Sequence, residues 1–346
     1  MKKTVFFALA IVTMFAACNS KETEKLSGAG ATFPEPFYKM AFKKFSTTTG
    51  NDVTYGAIGS GGGIRSLKDK TVDFGASDVF LSDKEISEIG ADVIHVPTAL
   101  GAVVISYNLK DVAELKLNAE VVSDIFLGKI TKWNDEKIKA LNAETNLPDK
   151  TITPVYRSDG SGTTAVFSEY MAKVNETWNT EIGQGKSLKF PVGVSAKGNT
   201  GVAGIVAETE GAMGYIGSEY ALALNLAAAS MQNSAGNFIK ADIKSISAAA
   251  NVDMPDDTRT VITNSSNPEA YPISTFTWIV VYKEQDYNDH PETQAKALKN
   301  LLQYIVSEEG QTIATQTNYA PLTGVALEKT KAAIESITYK GNAIIN

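Results

Sequence analysis

Short apolar runs alternate with longer amphipathic segments through most of the chain. Four apolar runs, at residues 93–96, 102–107, 151–156 and 276–282, are rich in β-branched or aromatic side chains and predict buried strands. Three segments with apolar residues at helical spacing, 36–45, 165–174 and 294–309, predict amphipathic helices. Alternation of this kind is typical of an α/β protein in which helices cover open sheets.

Two further stretches refine this organisation. Ser82 is followed three residues later by Glu85, a capping-box signature that predicts a helix over residues 85–89. Residues 225–260 are rich in Ala, Asn, Ser and Asp, and we expect exposed helices and loops there. At about 100–200 residues per domain, 346 residues predict two domains, yet no linker separates two consecutive segments. We therefore expect a chain that passes between its domains more than once.

The first 17 residues have the pattern of a secretory signal peptide. A basic start precedes the apolar residues 4–17, a run shorter than the ~20 residues needed to span a bilayer. Cys18 follows directly and resembles the lipidated cysteine of a bacterial lipobox. Residues 18–25 are polar and charged, which predicts a flexible tether behind a lipid anchor. A plain signal peptide with an incidental cysteine is the alternative.

Composition and charge exclude several classes of protein. The chain carries 32 Lys and Arg against 39 Asp and Glu, and its net charge of −7 is unsuited to coating a nucleic acid. Its single cysteine excludes a disulfide framework and a cysteine-rich metal site. Its two histidines, His95 and His290, lie far apart in sequence, which argues against a histidine-based metal centre. We expect neither a metal nor a cofactor.

Three loops rich in glycine each lead into a segment with helical character. They occupy residues 28–34, 59–65 and 157–164. A helix N-terminus carries about half a positive elementary charge and presents free amides, so such loops bind oxyanions well. A single loop of this type is commonly only a helix cap. Three in one chain, one of them carrying Arg157, favour an anion-binding site.

Two enzymatic motifs that use similar loops do not fit this sequence. The loops lack the Gly-Lys-Ser/Thr ending of a P-loop. Ser161 has Asp159 rather than glycine two residues before it, which excludes the nucleophile elbow of a serine hydrolase. A phosphatase with Ser161 as nucleophile is a remaining alternative, but the sequence offers no nearby His or Lys base. We therefore expect no enzymatic activity.

Four motifs in a fixed order closely resemble one family. They are Gly-Ala-Gly-Ala-Thr-Phe-Pro at 28–34, Gly-Ser-Gly-Gly-Gly at 59–63, Asp-Phe-Gly-Ala-Ser-Asp at 73–78 and Arg-Ser-Asp-Gly-Ser-Gly-Thr at 157–163. The chain resembles the phosphate-binding proteins of bacterial ABC-type phosphate uptake systems over essentially its whole mature length. This resemblance implies a type II periplasmic-binding-protein fold, in which two α/β lobes joined by a two-strand hinge close on a ligand cleft. It implies lobe I at 26–98 plus 272–346 and lobe II at 99–271.

The same resemblance implies a set of phosphate contacts. Asp159 is expected to pair with Arg157 and orient it. Asp78 is expected to accept a hydrogen bond from the proton that phosphate, unlike sulfate, keeps near neutral pH. From the residues alone, a turn or cap role for Asp78, a surface ion pair for Arg157 and ordinary capping by the hydroxyls remain alternatives. The expected phosphate contacts are Thr32, the Phe33 amide, Ser60, Asp78, Arg157, Ser161, Gly162 and Thr163.

The resemblance further implies a monomeric lipoprotein, exported to the periplasm or cell envelope and anchored on a membrane. It would deliver inorganic phosphate to the membrane permease subunits of an ABC transporter.

Two departures from the family pattern stand out: Val79-Phe80 replaces the usual Ala-Pro, and Thr200 stands where Asp is common. A receptor for another oxyanion, such as sulfate or molybdate, and a surface adhesin or signalling lipoprotein are the alternatives. The aromatic residues expected to pack in the core or hinge rather than on the ligand are Trp133, Tyr215 and Trp278.

Overall fold

Strands and helices alternate along residues 23–345, the part of the chain that this computed structural model describes. The fold is mixed α/β, as the alternation of apolar runs predicts. The strands are β1 (Lys25–Gly30), β2 (Asp52–Ala57), β3 (Phe74–Ser77), β4 (Val93–Tyr107), β5 (Lys116–Leu117), β6 (Thr153–Arg157), β7 (Val194–Ala196), β8 (Ala212–Gly217), β9 (Ala227–Ala228), β10 (Ser230–Gln232), β11 (Phe238–Ile239), β12 (Ser274–Tyr282), β13 (Thr338–Tyr339) and β14 (Asn342–Ala343). The helices are α1 (Glu35–Thr49), α2 (Ser60–Lys68), α3 (Asp83–Ile89), α4 (Ala119–Phe126), α5 (Glu136–Leu141), α6 (Gly162–Val174), α7 (Glu176–Glu181), α8 (Gly198–Glu208), α9 (Ser218–Ala223), α10 (Ile243–Ala249), α11 (Glu292–Ile305), α12 (Glu308–Gln316) and α13 (Gly324–Glu335).

A nine-stranded sheet organises the described part of the chain. Its order is β2-β1-β3-β12-β4-β8-β6-β7, with β9 added beside β4. β1 is parallel to β2 and β3, and β6 is parallel to β7 and β8. Between these two parallel groups run β12 and β4, which are antiparallel to each other and to their outer neighbours. The sheet therefore contains two groups of parallel strands, one formed by β1, β2 and β3 and the other by β6, β7 and β8.

One long strand connects the two groups. Residues 93–96 and 102–107 predict two separate strands, which is wrong, because both belong to the continuous strand β4. β4 pairs with β12 from Val93 to Ala102 and with β8 from Val103 onward. A shift in register opposite Thr277 and Trp278 accommodates Pro97, which has no amide proton for the ladder. The apparent break in the apolar pattern is thus a bulge and not a loop.

Each parallel group has an aromatic cluster of its own. Beside β1 to β3, Tyr38 stacks on Phe42 with ring centroids 5.0 Å apart, and Tyr55 and Phe74 pack around the pair. Beside β6 and β8, the buried side chains that cluster are Phe126, Phe167, Trp178 and Tyr215. The predicted burial of three aromatic residues is confirmed, since no more than 1 % of each residue's surface is exposed in Trp133, Tyr215 and Trp278.

The predicted helices form, with changes at their ends. The capping box is present, because Ser82 Oγ accepts from the Glu85 amide while the Glu85 carboxylate accepts from the Ser82 amide. The segment 294–309, predicted as one helix, divides into α11 and α12. Ser307 causes the division, since its hydroxyl caps the new helix by accepting from the Gly310 amide at 3.2 Å. Apolar spacing alone gives no sign of this second helix start.

Residues 225–260 are more ordered than their composition predicts. They contain three short strands, β9 to β11, besides the helix α10. β10 pairs with β5 and β11 in a small sheet of its own. Met231, Ile246 and Ala249 are buried, so the segment packs on the rest of the protein. The expectation of exposed helices and loops therefore holds only for part of it.

The chain joins the sheet close to the start of the described residues. Lys25, placed in the tether by the sequence pattern, begins β1 and pairs with Asp52. The signal peptide at 1–17, Cys18 and most of the tether lie outside the described residues. Within residues 23–345, no helix has both the length and the apolar character needed to cross a membrane.

The close packing of α2 on β1 generates a prediction about stability. A methyl group added at Gly63 would lie 2.3 Å from Gly30 Cα and 2.4 Å from Ala29 O, both backbone atoms. Gly63→Ala should therefore lower the free energy of unfolding by about 1–3 kcal/mol, the usual cost of overpacking.

Gly204→Ala is the matched control, because Gly204 also lies in a helix, α8, and an added methyl there meets nothing within 4 Å. This control should raise the free energy of unfolding by up to about 1 kcal/mol through helix propensity. Urea titration of both variants measures the difference. Equal stability of the two variants would contradict the close-packing argument.

Candidate anion-binding site

The predicted contact residues follow the ends of parallel strands. In open α/β sheets, ligands bind outside the carboxyl ends of such strands, where loops lead into helix N-termini. Here β1, β2, β3 and β6 all end at these residues. We call the eight predicted contact residues the cradle: Thr32, Phe33, Ser60, Asp78, Arg157, Ser161, Gly162 and Thr163.

The loops before α2 and α6, which carry several cradle residues, meet directly. The Gly61 amide donates to the carbonyl of Gly160 at 2.9 Å, joining the loop before α2 to the loop before α6. A methyl group added at Gly162 would lie 2.3 Å from Ser60 Oγ and 2.6 Å from Asp78 Oδ2. Only a glycine, which has no side chain, lets these two oxygens come so close to the α-carbon of residue 162. Residues distant in sequence are thus in direct contact at the cradle.

Arg157 is a buried cation held by a carboxylate. Its Nε and Nη2 donate to Asp159 Oδ1 and Oδ2 at 2.8 and 2.5 Å. Only 1 % of the Arg157 side chain is exposed, so the alternative of a surface ion pair is wrong. Burial alone would raise the pKa of Asp159, but its hydrogen bonds with Arg157 bring that pKa below its ordinary value. The predicted pairing is confirmed, and Arg157 Nη1 faces Thr163 Oγ1 at 3.3 Å.

Tyr215 connects the cradle to the aromatic core. Its ring stacks on Phe167 with centroids 4.4 Å apart. Its hydroxyl oxygen accepts from the Arg157 amide at 3.2 Å and lies 2.9 Å from Thr164 Oγ1. The end of β6 is therefore fixed by packing as well as by the sheet.

Two cradle hydroxyls share one amide side chain. Thr32 Oγ1 accepts from the Asn199 amide at 3.1 Å and from Asn199 Nδ2 at 2.8 Å. Thr163 Oγ1 accepts from the same Nδ2 at 3.0 Å, in addition to Arg157 Nη1. Thr32 and Thr163, which are both buried, are thus bonded to the same nitrogen of Asn199.

The two serine hydroxyls also act as acceptors within the protein. Ser161 Oγ caps α6 by accepting from the Thr164 amide at 3.0 Å, as the capping alternative predicts. Ser60 Oγ accepts a long hydrogen bond, 3.4 Å, from the Asp78 amide. Capping does not exclude ligand binding, because a serine that accepts through a lone pair keeps its proton for another acceptor.

Backbone amides complete the donor set. Phe33 is buried and its carbonyl accepts from the Tyr319 hydroxyl at 2.5 Å, which fixes the orientation of this turn. Gly162 and Thr163 are the first two residues of α6, where amides have no partner within the helix. The amides of Gly162 and Thr163 are therefore free donors beside the hydroxyls of Ser161 and Thr163.

Asp78 is the single carboxyl of the cradle. The residue is 1 % exposed, and its Oδ1 accepts from the Thr277 hydroxyl at 3.0 Å. Burial raises the pKa of Asp78 to about 7, although the Thr277 hydrogen bond and the charge of Arg157 act in the opposite direction. A carboxyl of this kind readily accepts a hydrogen bond from a protonated ligand oxygen. Ser82, and not Asp78, caps the helix α3 that follows, and the side-chain partner of Asp78 lies in strand β12.

Two residues of this network are absent from the sequence-based prediction. Asn199 lies in a Gly-Asn-Thr-Gly segment, and Gly198 before it has φ +70°, which sets the start of α8. A glycine-led polar segment before a helix was the available signal. Thr277 is a single polar residue in the apolar run of β12, a weaker signal that the side chain has a partner.

Two cavities flank the cradle. One of about 460 Å³ lies beside Asp78, with Phe80 and Trp278 in its wall, and the other of about 340 Å³ adjoins Thr32 and Asp159. Val79-Phe80, one of the two departures from the family pattern, lines the first cavity, and Thr200, the other, lines the second. In the described residues, no group of three or more His, Cys, Asp or Glu could hold a metal ion.

The raised pKa of Asp78 generates a prediction for the ligand-free protein. Because the pKa in the folded state, about 7, exceeds the ordinary value of 3.8, Asp78 stabilises the fold fully only below 3.8. This contribution is lost as pH rises through about 7. Asp78→Asn cannot titrate, so its melting temperature should rise relative to wild type across this window. Calorimetric scans at several pH values measure the difference, and a constant difference would contradict the assignment.

Comparison with known proteins supports one family. The family model described as the PBP superfamily domain matches residues 17–309. The phosphate-binding protein PstS of Pasteurella multocida is 37% identical over 337 residues, which cover 96% of this chain and 95% of that protein. The PstS of Xylella fastidiosa is 39% identical over 303 residues, covering 86% and 81% of the two chains.

The solved structures agree on the fold. A high affinity periplasmic phosphate-binding protein, PfluDING, bound with phosphate, aligns with a TM-score of 0.71 at 22% identity. The alignment covers 89% of this chain and 93% of that one. The predicted periplasmic-binding-protein fold is confirmed. With relatives this similar over nearly the whole length, the chain belongs to the PstS family of phosphate-binding proteins, within the PBP superfamily.

Proposed function

We propose that this chain binds inorganic phosphate with high affinity outside the inner membrane and delivers it to an ABC-type phosphate permease. The observation that carries the proposal is the composition of the cradle. A buried guanidinium, several hydroxyls and helix N-terminal amides converge with one carboxyl. Many donors and one acceptor suit a tetrahedral oxyanion that still carries a proton. The names of the relatives from P. multocida and X. fastidiosa support the same ligand.

The eight cradle residues are the proposed phosphate contacts. Arg157 would supply the one full positive charge, with its orientation set by Asp159. The hydroxyls and the amides of Phe33 and Gly162 would donate to unprotonated phosphate oxygens. Asp78 would accept from the protonated oxygen, whereas sulfate has no proton to offer and would leave an unpaired buried carboxylate. This difference favours phosphate over sulfate or molybdate, the alternative ligands.

We propose that binding couples to closure of two lobes. Lobe I would comprise residues 26–98 plus 272–346, and lobe II residues 99–271. The division is supported by β4 and β12, which lie between the two parallel strand groups and would serve as the hinge. Contacts from both lobes to one anion favour the closed form, which buries the ligand.

The remaining proposals concern the site of action. The protein would be exported, anchored through a lipid on Cys18, and would act as a monomer that docks on membrane permease subunits.

The positions of the two histidines argue against an enzymatic role. His95 Nε2 accepts from the Leu81 amide at 3.0 Å, and His290 pairs with Asp73, so neither serves as a base for Ser161.

Ligand identification tests the proposed function directly. The anion released from denatured, purified protein should be phosphate, and calorimetric titration of ligand-free protein should give saturable binding of one phosphate per chain. Competition with sulfate and molybdate should be weak. A protein that prefers either of these anions, or binds none, would contradict the proposal.

Selectivity should depend on Asp78. Asp78→Asn replaces the acceptor with an amide that can also donate, so the preference for phosphate over sulfate should fall by roughly tenfold or more, since hydrogen bonds to charged groups contribute about 1.5–3 kcal/mol. Titration of the variant with both anions measures the ratio. An unchanged ratio would remove Asp78 from the selectivity mechanism.

Closure should depend on Gly162. Gly162→Ala places a methyl group against Ser60 Oγ and Asp78 Oδ2, so the cleft cannot close fully. Overpacking of about 1–3 kcal/mol corresponds to a loss of roughly 5- to 150-fold in phosphate affinity. Gly204→Ala, with open space around the added methyl, is the control and should bind as wild type does. Full affinity in Gly162→Ala would show that this contact is not part of the bound state.

A further inference from the structure

We propose that Asn199 is a positioning residue that makes the Thr32 and Thr163 hydroxyls obligatory donors to the ligand. The proposal rests on the proposed function and deepens it, since it concerns how the same cleft orients phosphate. Asn199 is not one of the eight cradle residues. It acts through the two hydroxyls to which its side-chain nitrogen donates.

The orientation of the Asn199 amide is fixed by the backbone. Its Oδ1 accepts from the Gly217 amide at 3.0 Å. A backbone N–H can only donate, so the oxygen of Asn199 must face Gly217 and the nitrogen must face the cradle. Asn199 is fully buried as the second residue of α8, which leaves no solvent to compete for these bonds.

Both threonine oxygens have their acceptor capacity filled. A hydroxyl has two lone pairs and one proton. Thr32 Oγ1 accepts from the backbone and side-chain nitrogens of Asn199, and Thr163 Oγ1 accepts from Asn199 Nδ2 and Arg157 Nη1. Neither hydroxyl donates to another protein atom among residues 23–345. Each hydroxyl proton must therefore point away from Asn199 and Arg157, toward the place where the phosphate would bind.

The cradle therefore has two chemically different sides. The side of Thr32 and Thr163 accepts only unprotonated oxygens, because a ligand hydroxyl there would have no acceptor. Asp78 forms the opposite type of contact, an acceptor for a protonated oxygen. A singly protonated phosphate can satisfy both sides in one orientation only, with its P–OH group directed at Asp78. Asn199 thus contributes to the selection made by Asp78 without touching the ligand.

Asn199 also connects the two proposed lobes. Thr32 belongs to lobe I and Thr163 to lobe II, and Nδ2 of Asn199 reaches both at 2.8 and 3.0 Å. The Thr32 hydroxyl acquires its fixed direction only when the cleft is closed and Asn199 is in reach. Closure would then complete the donor set in the same step that buries the anion.

The test is the isosteric variant Asn199→Asp, titrated with inorganic phosphate from pH 5 to pH 8 beside wild type. A carboxylate accepts where Nδ2 donated, so both hydroxyls turn toward it and away from phosphate. At pH 8 we expect affinity to fall about 100-fold or more, roughly tenfold for each lost donor together with charge repulsion. The deficit relative to wild type should shrink toward pH 5, because a protonated carboxyl donates one bond again.

Two further variants separate positioning from stability. Asn199→Ala removes both donated bonds without adding an acceptor, so its loss of affinity should be smaller than that of Asn199→Asp. Asn142→Asp is the matched control. Asn142 is buried and bonded on both sides, to Lys116 and Ile138, but lies outside the cradle. This control should lower the melting temperature and leave phosphate affinity within about twofold of wild type.

The outcomes are distinguishable. If wild type binds phosphate and Asn199→Asp binds equally well at pH 8, the positioning role is overturned while the proposed function stands. A deficit that is the same at every pH also overturns it, since a loss of structure alone would not follow protonation. If wild type itself binds no phosphate, the proposed function fails and the inference fails with it.

Discussion

The cleft depends on the buried ion pair between Arg157 and Asp159. One carboxylate orients the guanidinium, accepts from the Gly198 amide at 3.0 Å and lies where a side chain at Gly59 would come within 2.4 Å of it. It therefore sets the position of β6, of the start of α8 and of the loop before α2 together. Removing one partner of such a pair leaves an uncompensated buried charge, which is far more costly than losing a surface bridge. This ion pair thus holds the loops close together, in addition to the hydrogen bond between Gly61 and Gly160.

A protein with a net charge of −7 cannot attract an anion by its overall field. The attraction has to be local, and the fold supplies it through helix N-termini, hydroxyls and a single guanidinium at the ends of parallel strands. Burial is equally important, because electrostatic interactions strengthen when water is excluded. The same burial raises the pKa of Asp78 to about 7, so the environment that strengthens the donors also makes this carboxyl more basic, as its proposed role as acceptor of a ligand proton requires.

The sequence predicts the parts of this site that are encoded locally. Glycine loops, the capping box at Ser82 and the order of the motifs were sufficient for the fold class and the family, and the structure brings the eight cradle residues together. The sequence does not predict the contacts between segments that are far apart along the chain. Asn199 is bonded to Thr32, 167 residues away, and nothing near either residue indicates the other. The prediction of two strands in place of β4 was wrong for a related reason. The bulge that lets the strand continue through Pro97 depends on pairing with β12, which lies far away in sequence.

The continuous strand β4 has a consequence for the timing of recognition. A β-ladder resists sliding of its strands, so the proposed movement of the two parallel groups would be a rotation about β4 and β12. Asp78 lies beside this axis, because Thr275 and Thr277 of β12 donate to its carbonyl and to its carboxylate. A group next to a rotation axis is displaced least, whatever the opening angle. Under the proposed function, the carboxyl that would accept the phosphate proton therefore keeps its position when the lobes open, so that selection of the anion would precede closure.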